Sequence, residues 1–188
     1  LTKVFYTVGG REVRDGGGIK PDVEVKPDSL PNIAFYLAGA RDSNEVMLNY
    51  EIDYIAKHPT IAPAKEFALT DADYDDFKAR VLKADFKYDR ETEKYLKDLE
   101  KLAKFEGYYE DAKPEFEALK KKLSHNVEKD LDYNKQTIKQ LLENDIVAAY
   151  YYQGGAIQNT LRYDKQVKEA VRLLCSPEEY GKLLHSKK

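Results

Sequence analysis

The 188 residues carry 31 basic and 34 acidic side chains, a formal net charge of -3, and a single cysteine. That near balance excludes the one-sided basic face by which nucleic acid is bound, and one cysteine excludes an internal disulfide framework or a thiolate metal cluster. No stretch approaches the roughly 18 apolar residues of a membrane span, and residues 1–30 lack the basic, apolar and small-residue succession of a signal peptide, so the chain reads as soluble. With Leu at position 1 and Met47 the only methionine, it is expected to be a piece of a longer protein, with any targeting segment upstream.

Residues 1–27 hold five of the ten glycines and two of the seven prolines. Val4-Phe5-Tyr6-Thr7-Val8 suits a strand, the glycines around Asp15-Gly16-Gly17-Gly18 permit positive φ, and Val23-Glu24-Val25 reads as a second short strand. From Asp28 onward the apolar period changes from two to about 3.6, which predicts helices. The fold class is therefore mainly α: a helical domain over 28–188, preceded by a short β-strand and glycine-rich segment over 1–27.

Residues 44–57 are apolar nearly all round and predict a buried helix. His58-Pro59 ends it, and Pro63 keeps a loop extended to about residue 69. Thr70 caps the next helix, with Asp71 and Asp73 in its first turn. Asp89 is expected to cap another that runs to Gly107. The spacing from Phe116 through Leu131, Ile138 and Leu142 to Ile146 allows one helix of about thirty residues, roughly 45 Å long, unless Ser124-His125-Asn126 breaks it. Gly154-Gly155 predicts a turn, followed by short helices over 156–161 and 164–174. Ser176-Pro177-Glu178-Glu179 marks the start of the last helix.

Residues 4–25, in particular Tyr6-Thr7, Gly10-Arg11, Asp15-Gly16-Gly17-Gly18 and Ile19-Lys20-Pro21-Asp22, resemble a segment of the carboxy-terminal processing peptidases, or tail-specific proteases. There a core strand ends in an aromatic-Thr-x-x-Gly-Arg element, followed after a glycine-containing loop by Gly-Ile-x-Pro-Asp. The Asp-Gly-Gly-Gly form is similar to a branch common in anaerobic Gram-negative gut bacteria. Phe67-Ala68-Leu69-Thr70 and Tyr150-Tyr151-Tyr152-Gln153-Gly154 are similar to that branch's helical extension.

The resemblance implies a larger α+β peptidase core whose final strands and loop are residues 1–27. It also implies a serine nucleophile with a lysine base, both upstream of the matched segment, and a PDZ-like module. Catalytic residues are thus expected outside this chain, with the rest of the peptidase and its peptide substrates as partners. An exported, periplasmic or cell-envelope location is implied. No cofactor or metal is expected.

The residues themselves offer blander alternatives to chemistry. Ser29 and Ser176 sit at expected helix starts, Ser43 beside a cap cluster, Ser124 in mid-pattern and Ser186 in the tail, positions that suit capping or solvation. Asp15-Gly16-Gly17-Gly18 lacks the lysine, hydroxyl and helix of a phosphate loop. Asp71, Asp73 and Asp75 imitate a calcium loop, but Asp76 and Leu82 replace its glycine and glutamate. His58, His125 and His185 form no paired ligand motif. Cys175 reads as a small buried hydrophobe, and the 15 tyrosines as bridges between core and surface. The stripe from Phe116 to Ile146 leaves a second possibility, a helical module that binds a partner or homo-oligomerises.

Overall fold

A computed structural model of the chain describes residues 3–16, 18, 20–39, 45–124 and 126–184. Among these residues it is mainly helical, with a two-stranded sheet at the amino-terminal end. The chain divides into two compact units, Leu1–Ser29 with Thr160–Lys188, and Leu30–Asn159. The last two helices thus group with the opening segment.

In the first unit, β1 (Val4–Tyr6) pairs antiparallel with β2 (Glu12–Arg14), Phe5 opposite Val13. Strand character was expected at β1, but its partner is Glu12–Arg14 and not Val23–Val25, which bends at Val23 and enters no sheet. The hairpin wins because a short turn brings residues 6 and 12 together at small loop-closure cost. Both strands remain exposed. The same unit holds α8 (Lys165–Leu174), capped by Asp164 through bonds from the amides of Gln166 (2.7 Å) and Val167 (3.0 Å), and α9 (Pro177–Leu184). Proline opens α9 where the sequence signal placed it.

The second unit contains α1 (Asn32–Ala38), α2 (Val46–Lys57), α3 (Asp71–Lys83), α4 (Glu91–Glu106), α5 (Tyr109–Lys122), α6 (Val127–Tyr133) and nearly all of α7 (Lys135–Thr160). Its core joins Ile33 and Leu37 of α1, Met47 and Tyr50 of α2, Tyr74, Phe77 and Val81 of α3, Leu131 of α6, and Ile138, Leu142 and Ile146 of α7. The loop between α2 and α3 adds Phe67 and Leu69. Burying a side chain of that size stabilises the fold by roughly 1.5–3 kcal/mol before the entropy cost of ordering it.

Several local expectations are corrected. The stripe from Phe116 to Ile146 is divided among α5, α6 and α7, the break at Ser124-His125-Asn126 that the sequence left open, because Asn126 accepts a bond from the Lys129 amide (2.9 Å) and starts α6 afresh. Pro114 lies inside α5. Arg90, not Asp89, precedes α4. Asp89 instead accepts a bond from the Tyr36 hydroxyl (3.2 Å), and its carbonyl accepts one from Asn32. Ser29 lies outside α1, whose first helical residue follows Pro31. Leu48 and Ile52 of α2 face outward, so that helix is buried on one side only. The break expected at Gly154-Gly155 falls two residues earlier, at Tyr152 (φ 59°, ψ −167°), where α7 is two helical stretches joined across a kink.

The α4–α5 pair forms an antiparallel hairpin closed by the Arg90 guanidinium on the Leu123 carbonyl (3.1 Å) and by Lys104 over the Tyr109 ring. Leu96 and Phe116 are buried within it yet lie outside the main core. A second apolar stripe on α4, Tyr95, Leu99, Leu102 and Phe105, is exposed, Phe105 at 89%.

Candidate functional site

The residues singled out in the opening segment are brought together as one tied turn. Tyr6 ends β1 with its ring 70% exposed. The Thr7 amide donates to the Arg11 carbonyl (2.9 Å), the Thr7 carbonyl accepts from Gly10 (2.8 Å), and the Thr7 hydroxyl accepts from the Arg11 amide (3.1 Å). Gly10 takes φ +80°, a conformation that costs a side-chain-bearing residue about 1 kcal/mol. Asp15 closes the far end of the hairpin by accepting from the Lys3 amide (2.5 Å) and donating its own amide to the Lys3 carbonyl (3.2 Å). Gly16 and Gly18 follow with positive φ. The Arg11 guanidinium pairs with the Asp22 carboxylate just after Pro21. Gly17 and Ile19 lie outside the described residues.

The chain bends at Asp22 and Val23 and then runs as a strap without helix or strand to Asp28. Its two ends are held by ion pairs, Asp22 to Arg11 and Asp28 to Lys165 at the start of α8. Between them Val23 and Val25 are half-buried, while Glu24 and Lys26 are exposed. The strap and α8 enclose an open groove of about 520 Å³, lined by Pro21, Val23, Val25, Ala170 and Leu173 with Gln166 and Glu169.

In the second unit the acidic run is spent on structure. Asp73 and Thr70 form a reciprocal capping box, with the Asp73 amide donating to the Thr70 hydroxyl (3.1 Å) and the Thr70 amide to the Asp73 carboxylate (2.8 Å). Asp71 pairs with Lys135 (3.0 Å) and Lys139 (3.5 Å), whose hydrogen bonds and charge hold its carboxyl below the usual range. His58 caps α2, stacked at 4.0 Å on the Tyr54 ring. Tyrosines bridge core and surface as expected: Tyr50 donates to the Asp73 carbonyl (2.9 Å) and Tyr74 to the Leu131 carbonyl (2.7 Å), and burial raises both hydroxyls above the normal tyrosine range.

Cys175 is exposed and not buried, since α8 turns Leu173 inward and leaves its carboxy-terminal end open. Among the described residues no serine hydroxyl is bonded to a lysine or histidine. No three or more His, Cys, Asp or Glu side chains there gather in a way that could hold a metal ion. Ser43, His125, His185 and Ser186 lie outside the described residues.

Two buried carboxyls escaped the sequence reading. Glu143 on α7 accepts a bond from the Leu69 amide (2.9 Å), fixing the loop that precedes α3. Glu51 on α2 is only 8% exposed, and its Oε1 has no hydrogen-bond partner. Burial first, and the Asp145 charge second, push the Glu51 carboxyl up to about 8. The available signal was a glutamate set in the apolar run Tyr50-Glu51-Ile52, where a buried charge is expensive.

A family model described as "Probable PDZ-protease, C-terminal helical domain" matches residues 33–174, from the second residue of α1 to the last of α8. No curated protein and no solved structure matches the chain.

Proposed function

Because the chain belongs to the family of C-terminal helical domains of probable PDZ-proteases, we propose that it is the non-catalytic carboxy-terminal part of a serine-type carboxy-terminal processing endopeptidase. On this reading the serine nucleophile and lysine base lie in another domain of the same protease. The substrates are exported proteins cut near their carboxy termini, in the periplasm or cell envelope of a Gram-negative bacterium. The family match over residues 33–174 is the observation that carries the reading. The tied Thr7–Asp22 segment supports it further, because the resemblance to the peptidase core falls there.

The hairpin gives this chain its part in the assembly. β1 and β2 pair only with each other among the described residues, so each leaves an outer edge of backbone donors and acceptors. An exposed edge rich in Val, Phe and Tyr is a template for a further strand. Residues 4–14 thus supply the last strands of the catalytic sheet, and the helices stand beside it. Leu131, Ile138, Leu142 and Ile146 of the stripe that motivated a stand-alone module are buried in the unit's own core, whereas Leu119 is exposed.

The test is a peptidase assay. The 188-residue chain alone turns over no peptide, whereas the complete protease does, and Tyr6→Pro in the complete protease lowers turnover by removing a donor from the outer edge of β1. Turnover by the chain alone, abolished by replacing one of its own serines, would overturn the reading.

A further inference from the structure

α4 carries two faces at helical spacing, and its own hairpin uses one. Leu96 is buried and Glu93, Glu100 and Ala103 are half-buried, three or four residues apart, so they share one side of the helix. That side packs on α5. The other side, Tyr95, Leu99, Leu102 and Phe105, follows the same spacing and lies open, at 68, 51, 50 and 89% exposure. At about 200 Å² for a large side chain, these four expose roughly 500 Å². Tyr108 and Leu119 of the same hairpin, 67 and 42% exposed, raise that to roughly 700 Å². A monomer ordinarily leaves an apolar patch of roughly 300–600 Å², and each partner in a standard interface contributes about 800 Å². The open area of the hairpin is thus that of one half of a stable protein interface.

The order of residues along the stripe identifies the other half. It runs aromatic, leucine, leucine, aromatic, with steps of four, three and three residues, so read backwards it returns nearly the same pattern. Turned end for end, a second copy sets its Leu102 opposite Leu99 and its Phe105 opposite Tyr95. A patch that complements itself in this way is what a two-fold dimer requires. Charge agrees with the same reversal. Asp98 and Lys101 lie by helical spacing along the edge of the stripe away from α5, and they hold each other at 2.9 Å. Reversal brings Asp98 beside Lys101 of the second copy, and Lys101 beside its Asp98. Opposite charges that meet across a rim fix the register of an interface.

We propose that the Tyr95–Phe105 stripe of α4 is a dimer interface, on which two copies of the chain pair antiparallel, Leu99 against Leu102 and Tyr95 against Phe105, flanked by reciprocal Asp98–Lys101 ion pairs. Two α4–α5 hairpins joined in this way form a four-helix bundle in which each α4 is covered on both sides. The leucines at the centre supply most of the affinity, and the rim charges set the antiparallel order. This goes beyond the peptidase reading and does not depend on it, since every residue it uses belongs to the hairpin.

Sedimentation velocity at several concentrations, on the complete protease and on the 188-residue chain, is the test. Both are expected to show a monomer–dimer equilibrium. Leu99→Lys weakens it at least about tenfold, which corresponds to roughly 1.4 kcal/mol, and leaves the helical circular dichroism of the monomer unchanged, because Leu99 is exposed there. Asp98→Lys and Lys101→Asp each weaken it by setting like charges face to face, and the two substitutions together restore it. A strict monomer at every concentration, a dimer untouched by Leu99→Lys, or a double variant no better than the single ones would each overturn the proposal. A dimer of the chain that is absent in the complete protease would overturn it too, because another domain of the protease would then cover the stripe.

Discussion

At the scale of single residues, Tyr152 and Gly155 define opposite kinds of constraint on α7. Tyr152 occupies φ 59°, ψ −167°, a region open essentially to glycine alone, where other residues cost about 1–3 kcal/mol. Neighbouring side chains hold it there: Tyr151 donates to the Ile61 carbonyl (3.1 Å), and Asn159 donates to the carbonyls of Ala64 (2.8 Å) and Phe67 (3.0 Å). Because the Tyr152 ring is itself exposed, Tyr152→Gly is expected to raise stability by about 1 kcal/mol in urea unfolding. Gly155 is the reverse case, since a Cβ there would stand 2.2 Å from the Tyr151 Cβ. Gly155→Ala should cost about 1–3 kcal/mol in the same measurement.

Glu51 supplies the pH dependence. Its carboxyl is raised from an ordinary carboxylate value to about 8 in the folded chain, so the folded state binds the proton more tightly than the unfolded state. The stabilising proton is fully in place below the unfolded value, and stability falls as pH rises from there through about 8. Glu51→Gln keeps the volume and removes the titration, so the variant should gain on the native chain progressively across that window in thermal unfolding. A constant difference between the two from pH 5 to 9 would contradict this origin.

At the scale of elements, caps decide where helices begin, and burial decides which way they face. Thr70→Ala removes one arm of a capping box and should cost about 1 kcal/mol. Asn126→Ala should cost a similar amount by weakening the start of α6. On α4, Leu96→Ala should cost about 2 kcal/mol or more because it empties the α4–α5 contact. Leu99→Lys and Leu102→Lys should stay within about 0.5 kcal/mol, as exposed substitutions do.

The same contrast explains what could be read beforehand. The starts at Thr70 and Pro177, and the ends at His58 and Gly107, were legible because capping chemistry lies within three or four residues of the boundary. Asp89 was misassigned because its partners, Tyr36 and Asn32, are more than fifty residues away in sequence. Leu48 and Ile52 look like core residues until the facing elements are known. Val23–Val25 has strand character in its side chains, yet a strand exists only with a neighbour, and among the described residues it has none.

At the scale of the whole molecule, the second unit packs a core of its own, while the first carries features that look outward. The hairpin has open edges, the strap has unpaired backbone, and the motif that resembles the peptidases serves to tie the two together through Thr7, Arg11 and Asp22. Family membership was legible in that motif and is matched independently over 33–174. The groove beside α8 was not legible, because it depends on residues 21–27 meeting residues 166–173, which no local pattern announces.

Amide hydrogen exchange across residues 4–14, compared between this chain and the complete protease, tests most directly the claim that the hairpin is an edge of the catalytic sheet. The account predicts that the outward-facing amides of the hairpin exchange at least about tenfold more slowly in the complete protease, as amides entering a ladder do. Equal exchange in both would mean that the hairpin completes nothing beyond itself.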